Sequence, residues 1–305
     1  MPQATPTPAI PMHGLVPLTD WGVIRARGAD ARSFLHGQLT QDVQGLPDGR
    51  ARLAGYCSAK GRLLASFVMW PDADGSLLLA CSADLLPATL KRLSMFVLRA
   101  QCKLTDASAE VPLWGVAGDA VPAGEAWRVD DHRWVHLPAV DGVARALHVG
   151  APDDAAAATA LDPEAWRWLE ARSGIVRIVA ATVEQFVPQM VNLELVGGVN
   201  FQKGCYPGQE VVARSQYRGT TKRRAFVTTA DAALQPAQEV FAADDPGQPA
   251  GMVVLAAAPA GLPAAALVEL KIAARDGAAL HAGAPDGPAL HLDALPYALP
   301  ADAAA

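Results

Sequence analysis

The chain has 305 residues, 51% of them hydrophobic and 18% charged, with a formal net charge of −6. This excludes a disordered chain and a nucleic-acid binder working through bulk positive charge, and the length allows two or three domains. The four cysteines, Cys57, Cys81, Cys102 and Cys205, include no CxxC pair, which argues against a zinc knuckle, a ferredoxin-type cluster cradle and a disulfide framework and predicts reduced thiols in a cytoplasm.

Residues 1–11 are rich in Pro, Thr and Ala and lack the basic and apolar regions of a secretory signal, so a frayed tail is expected. No stretch approaches the roughly 20 apolar residues that cross a bilayer, and a soluble chain with no membrane partner is expected. Residues 15–27 read as a first strand. Asp30 is placed to cap a helix over 31–39. Two strand-like runs fill 51–70, and the second meets 77–81 across Pro71-Asp72-Ala73-Asp74-Gly75, a hairpin signal. From Asp84 onward, Leu86, Leu90, Leu93 and Val97 share a helical face. Strand-like pieces follow at 100–105, 112–117, 125–129, 133–137 and 144–149. Gly115 and Gly118 lack a dinucleotide fingerprint and read as a turn. His132 and His136 lie in a strand-like run, so they do not pair as helical zinc ligands do.

Asp162-Pro163-Glu164 is a strong helix start, and the helix runs to about Ser173, with Gly174 as its C-terminal cap. Trp166, Leu169 and Ser173 share the face expected to be buried, while Trp168 and Arg172 lie together on another. Residues 175–200 are mostly irregular. Beyond Lys222, apolar runs at 225–229, 238–242, 251–256 and 266–273 alternate with Pro, Gly and Asp, as in a small β-barrel or sandwich. Loops are expected at 256–266 and 282–289.

The stretch with most chemistry is Lys203-Gly204-Cys205-Tyr206-Pro207-Gly208-Gln209-Glu210. Its two glycines allow a tight turn. A thiol reacts or ligates metal as thiolate, and the nearby lysine favours that form. The same pattern also suits an inert thiol, and the residues alone leave both readings open. Arg214, Arg218, Lys222, Arg223 and Arg224 form the densest basic patch in the chain.

Phe186-Val187-Pro188-Gln189-Met190-Val191-Asn192-Leu193, then Gly197-Gly198-Val199-Asn200-Phe201, the lysine-glycine-cysteine-tyrosine loop, and Arg218-Gly219 together resemble the YgfZ-type folate-binding proteins. These are the tRNA-modification and iron–sulfur maintenance branch of the glycine-cleavage T-protein superfamily. Ser33-Phe34-Leu35-His36-Gly37-Gln38-Leu39-Thr40-Gln41-Asp42-Val43 and Leu290-His291-Leu292 extend the likeness to both ends. The resemblance implies an α+β fold of three domains around a central opening. Residues 1–48 with 160–222 would form a discontinuous folate-binding domain, 49–159 a ferredoxin-like α+β domain, and 223–305 a C-terminal β-barrel.

The resemblance also implies a bound tetrahydrofolate or derivative, with Trp21 and Trp166 as ring-stacking residues and Trp168 as the competitor for the second position. On packing grounds alone these tryptophans are core residues. The superfamily's aminomethyltransferases place a folate-facing aspartate where this chain has Ala65 or Ser66, and neither can hold a charge. The function implied is a folate-binding accessory protein for assembly or repair of iron–sulfur enzymes, including those that modify tRNA, with Cys205 as working thiol. A single thiolate does not hold a cluster, which generally takes four ligands, so no stable metal site is expected. The alternative is a folate-dependent one-carbon transferase. The implied partners are a reduced folate and iron–sulfur client proteins. Arg214, Arg218, Lys222 and Arg223 are candidate anion contacts, suited to a folate glutamate tail ahead of direct tRNA contact.

Overall fold

The computed structural model describes residues 12–300 apart from 154, 156–157, 218–220 and 278. Along the chain come β1 (Gly14–Pro17), β2 (Trp21–Arg27), α1 (Ala31–His36), β3 (Arg52–Cys57), β4 (Leu63–Pro71), β5 (Leu77–Ser82), α2 (Leu86–Ser94), β6 (Lys103–Asp106) and β7 (Leu113–Ala117). They are followed by β8 (Val129–Asp130), β9 (Trp134–Val140), β10 (Val143–Val149), α3 (Pro163–Arg172) and α4 (Gln209–Tyr217). The last part holds β11 (Arg223–Ala230), β12 (Glu239–Ala242), β13 (Gly251–Ala257), β14 (Ala264–Lys271), β15 (Leu280–Ala282) and β16 (Ala289–Leu292).

The strands build three sheets: a five-stranded β3-β4-β5-β2-β6 sheet, a five-stranded β1-β7-β10-β9-β8 sheet, and a closed barrel of β11 to β16. The expected first strand over 15–27 is therefore two strands in two sheets. The chain turns at Leu18, whose carbonyl accepts the Trp21 N–H at 3.2 Å. β1 then pairs with β7 and β2 with β5 and β6. A division of the chain at 48/49 would cut through both of these sheets.

Side chains alternate across the first sheet, as the period of two requires. Val23, Val68, Trp70, Leu78 and Ala80 enter the core that faces the rest of the molecule. Ile24, Ala65, Phe67, Met69, Leu77 and Leu79 enter a second core, covered by α1 and α2. The barrel has its own interior, around Val240, Val253, Val268 and Leu270.

Local signals explain most boundaries. The Asp162 carboxylate accepts the Glu164 N–H at 3.0 Å, the expected cap of α3. The expected cap at Asp30 makes a long-range contact instead, and Asp84, ahead of α2, does the same. Asp30 accepts the Gln101 N–H at 2.7 Å, and Asp84 accepts the Ala180 N–H at 2.9 Å. α1 ends at His36, short of the expected 39, and α2 starts at Leu86. Gly115 is not a turn residue. It lies within β7, where an added Cβ would meet the Trp166 ring at 2.7 Å. The expected loop at 256–266 is shortened by β13 and β14.

α3 lies against β13 and β14 of the barrel. The Trp168 indole N–H donates to the Pro263 carbonyl at 3.0 Å, and the Arg172 guanidinium sits 4.8 Å over the Trp168 ring. A second junction is ionic. Arg224 of β11 pairs with Glu194 from the irregular segment and donates to the Gln189 carbonyl at 2.9 Å. Both side chains of the pair are at most 5% exposed. Burial raises the Glu194 carboxyl above the ordinary range, and Arg224 opposes it. Removing one partner of a buried pair strands the other charge. Arg224→Met should destabilise the fold by about 3–5 kcal/mol in urea unfolding, and Glu194→Gln added to it should recover part of that loss.

Candidate functional site

Two regions hold the residues with chemical potential, and the β3–β4 hairpin touches both. The first is a cavity between the two five-stranded sheets and α3. It is lined by Trp21, Leu53, Val68, Trp127, Leu137 and Val176, with the polar side chains of Ser66, Arg145, Glu170 and Arg177. Arg177 organises its polar end. It donates to Asp20 Oδ2 and Glu170 Oε2, each at 3.0 Å, and its guanidinium lies 5.0 Å from the Trp21 ring centroid. Burial lowers the Arg177 pKa, but Glu170 and Asp20 outweigh it and hold the side chain charged. Burial raises Glu170, with Arg177 pulling the other way. For Asp20, burial is outweighed by Arg177 and Arg167, so its carboxyl lies below the ordinary range. Arg145 is fully enclosed, and burial pushes it down to about 10.

Glu170 and Arg177 also line a second opening toward the barrel, together with Asp84, Glu164, Arg167 and Leu255. Trp21 Nε1 and Arg177 Nε are buried without a hydrogen-bond partner among the described residues. A buried donor left unpaired is costly. Indole walls with a buried carboxylate and guanidinium give the cavity apolar faces and one charged end.

The expected tryptophan pair is not brought together in this cavity. Trp21 lines it, whereas Trp166 is 1% exposed and packs into Gly115. Trp168 faces the barrel. The second indole of the cavity is Trp127, from the loop before β8, in a left-handed conformation with φ of 65°. The strand expected over 125–129 is thus mostly a turn, with only Val129 and Asp130 in β8. Glu170 and Arg177 were illegible, because their pairing depends on the path of the chain after α3. Of the two positions expected for a folate-facing acid, Ala65 enters the outer core. Ser66 faces the cavity, where its hydroxyl oxygen accepts the Ile178 N–H at 2.9 Å.

The second region is the loop 203–208, which leads into α4. Lys203 clamps it to the end of α1. The Nζ donates to the Leu39 carbonyl at 2.7 Å and to the His36 carbonyl, and it lies 5.0 Å over the Tyr206 ring. Burial lowers the Lys203 pKa to about 8, opposed by Asp42 and Cys205. Tyr206 is buried, and burial raises its phenol strongly, with Cys57 adding to the effect. Gly208 is required by shape. Its φ is +80°, and a Cβ there would meet the Ser58 carbonyl oxygen at 2.4 Å. Gly204 meets no such obstacle, since its nearest neighbour is His36 Nε2, at 3.7 Å from an added Cβ.

Cys205 is the one exposed cysteine. Cys57 and Cys81 are buried, and burial pushes each thiol up to about 12. Gln209 opens α4 and Glu210 is exposed beside it. α4 itself was missed at the sequence level, where only the basic residues of 210–224 drew notice.

The basic patch is divided. Arg214 and Lys222 are exposed, whereas Arg223 pairs with Glu269 at 2.9 Å and Arg224 with Glu194. Arg218 lies outside the described residues. Arg223 is thus engaged inside the fold, not free for an anion. His136 is buried against Asp130 at 2.9 Å, and His132 sits in the turn before β9. Among the described residues no group of three or more His, Cys, Asp or Glu side chains is placed to hold a metal.

No family model matches the chain. Among curated proteins, it is 31% identical over 244 residues to the tRNA-modifying protein YgfZ of Photobacterium profundum, covering 74% of this chain and 73% of that one. It is 35% identical over 235 residues to the YgfZ of Edwardsiella ictaluri, covering 70% of each. With the YgfZ of Escherichia coli O157:H7 the identity is 32% over 262 residues, 77% of each chain. Among solved structures, the glycine cleavage system aminomethyltransferase T from Bartonella henselae superposes with a TM-score of 0.63 at 17% identity, covering 94% of this chain and 86% of that one. That likeness carries the fold: the α+β T-protein architecture with a C-terminal closed barrel. The identities over more than two thirds of the curated relatives carry the family, and the chain belongs to the YgfZ family of tRNA-modifying proteins.

Proposed function

We propose that this chain is a folate-binding accessory protein in tRNA modification, supporting the assembly or repair of iron–sulfur enzymes through the thiol of Cys205. The observation that carries the reading is the coexistence of two sites on one hairpin. Leu53 of β3 and Ser66 to Val68 of β4 line the cavity. The β3–β4 turn, through Ser58 and Gly61, seats the Cys205 loop at Gly208. In this reading Trp21 stacks on a reduced folate, Trp127 forms the opposing wall, and Glu170 with Arg177 supplies the polar contacts. Trp166 supports α3 from within the core. The folate is the ligand or regulator, and Cys205 is the group presented to partners.

The aminomethyl-transfer alternative lacks an acid where one is expected. Ser66 occupies that part of the wall, and the cavity's carboxylate, Glu170, is ion-paired with Arg177. Exposed Arg214 and Lys222 leave room for a folate tail or an RNA phosphate, with the carboxylate favoured. We place the protein in the cytoplasm, in keeping with four free cysteines. No helix among the described residues is long and apolar enough to cross a membrane.

Two measurements test the reading. Titration with tetrahydrofolate should quench tryptophan fluorescence. Trp21→Ala should weaken that binding about tenfold, the scale of one aromatic contact, while Trp166→Phe lowers stability and leaves affinity unchanged in the folded protein. Quenching unaffected by Trp21→Ala would move the ligand elsewhere. In cells lacking the native gene, Cys205→Ala should fold normally yet fail to support a cluster-dependent tRNA thiolation. Full recovery by that variant would remove the working thiol.

A further inference from the structure

We propose that the corner where α2 ends is a surface for a single-stranded loop of tRNA, with Lys91, Arg99 and Lys103 meeting phosphates and Phe96 stacking on an unpaired base. This rests on the reading that the chain acts in tRNA modification, and it does not depend on Cys205.

The sequence pointed to the bases of 214–224 for such a contact, but the fold spends Arg223 and Arg224 of that run on Glu269 and Glu194. The stretch 85–105 is less densely basic, yet it contains no Asp or Glu. Its four cations, Lys91, Arg92, Arg99 and Lys103, are all exposed, and among the described residues none of them closes a salt bridge. Arg27, opposite Lys103 across β2 and β6, is by contrast tied to Asp74 at 2.9 Å.

The same corner carries apolar side chains that the core does not take up. Of the five large hydrophobic side chains exposed among the described residues, three are Met95, Phe96 and Leu98, at 65%, 45% and 87%. α2 turns its apolar face inward: Leu86 and Leu93 are buried, and Leu90 packs against the outer core. The chain then closes tight turns. The Met95 N–H donates to the Lys91 carbonyl at 3.2 Å, Phe96 to Leu93 at 3.0 Å, and Ala100 to Val97 at 2.8 Å. Leu98 has a left-handed backbone, with φ of 44°, which is uncommon for a leucine. Gln101 fixes the far side: its N–H donates to the Asp30 carboxylate at 2.7 Å, and its carbonyl accepts the Asp30 N–H at 3.0 Å. β6, which begins with Lys103, packs against α2. The apolar tip is therefore held out by the fold, with cations around it.

That combination decides the partner. Phosphates pair with Lys and Arg, and unstacked bases lie on aromatic and apolar side chains, so a single-stranded loop satisfies both halves of the surface. A continuous duplex hides its base faces and would leave Phe96 and its neighbours uncovered. An anionic bilayer would have only the three tip side chains to hold, since the apolar face of α2 is already buried.

The test uses the purified full-length chain and an unmodified tRNA transcript, with fluorescence anisotropy read across a salt series. Binding should weaken with salt, and Lys91→Ala, Arg99→Ala and Lys103→Ala should each lower the salt slope by about one. Phe96→Ala should weaken binding about tenfold with the slope unchanged, the mark of a stacked base. Arg133→Ala, which removes an exposed cation before β9, should change neither. Arg92 is spared because its guanidinium lies at the Tyr56 hydroxyl. An unchanged urea midpoint shows that each variant folds. A hairpin RNA with an open loop should compete, and a blunt duplex of equal length should compete about tenfold less well. Absence of tRNA binding, a triple Lys91, Arg99 and Lys103 variant that keeps the wild-type salt slope, or equal competition by the duplex would each overturn the surface. Binding to phosphatidylglycerol vesicles in place of tRNA would overturn it too, and assign the corner to lipid. The two readings fail separately. Equal tRNA binding by wild type and triple variant strikes this surface alone, whereas normal tRNA thiolation in cells lacking the gene strikes the proposed function and leaves the measured binding as it is.

Discussion

The guanidinium of Arg177 is the interaction on which the centre of the molecule depends. It joins the turn before β2, through Asp20, to α3, through Glu170, and lies over the Trp21 ring. The start of β2 and the end of α3, far apart in sequence, are held at one charge. A buried carboxylate such as Glu170 persists only beside such a partner, since an isolated buried charge is strongly disfavoured. The same residue forms part of the wall of both openings, so the polarity of the central space follows from one side chain.

Sequence reasoning reached the architecture because its signals were local or motif-sized. The Asp162-Pro163 helix start, the hairpin across 71–75 and the run of short strands after 222 each follow from a few adjacent residues. It failed where a residue's role depends on a distant contact. Asp30 looks like a helix cap, yet its carboxylate binds the Gln101 N–H across the fold. Gly115 looks like a turn but makes room for an indole. Trp21 and Trp166 are equivalent in sequence terms; only the path of β7 and α3 assigns one to the cavity and the other to the core. Trp127 falls in the strand-like run 125–129, yet it stands in a turn with a left-handed backbone that the run does not reveal.

The cysteine loop was legible as a motif, but its mechanics were not. Lys203 reads as a free cation beside a thiol. In the fold it is a half-buried clamp, with its ammonium committed to two carbonyls and the face of Tyr206. The two glycines also differ in kind. Gly208 answers a backbone need against the β3–β4 turn, and Gly204 keeps a neighbouring surface clear. The basic run after the loop divides in the same way, with Arg223 and Arg224 closing salt bridges and Arg214 facing solvent.

The two ends of the chain both close onto its middle. β1 pairs with β7, and Leu15 exchanges backbone hydrogen bonds with Thr159 and Leu161. Near the other end, the Tyr297 hydroxyl donates to the Gly174 carbonyl at 2.7 Å and accepts from Asn192 at 3.2 Å. During synthesis the first strand therefore waits for more than 90 residues before β7 exists. The buried segment around Asn192 waits for Tyr297, 105 residues later. Loops of that length close slowly, and apolar surface stays open meanwhile. The central core is thus completed only after both distant partners have emerged, and loss of Tyr297 would remove one hydrogen bond each from Gly174 and Asn192.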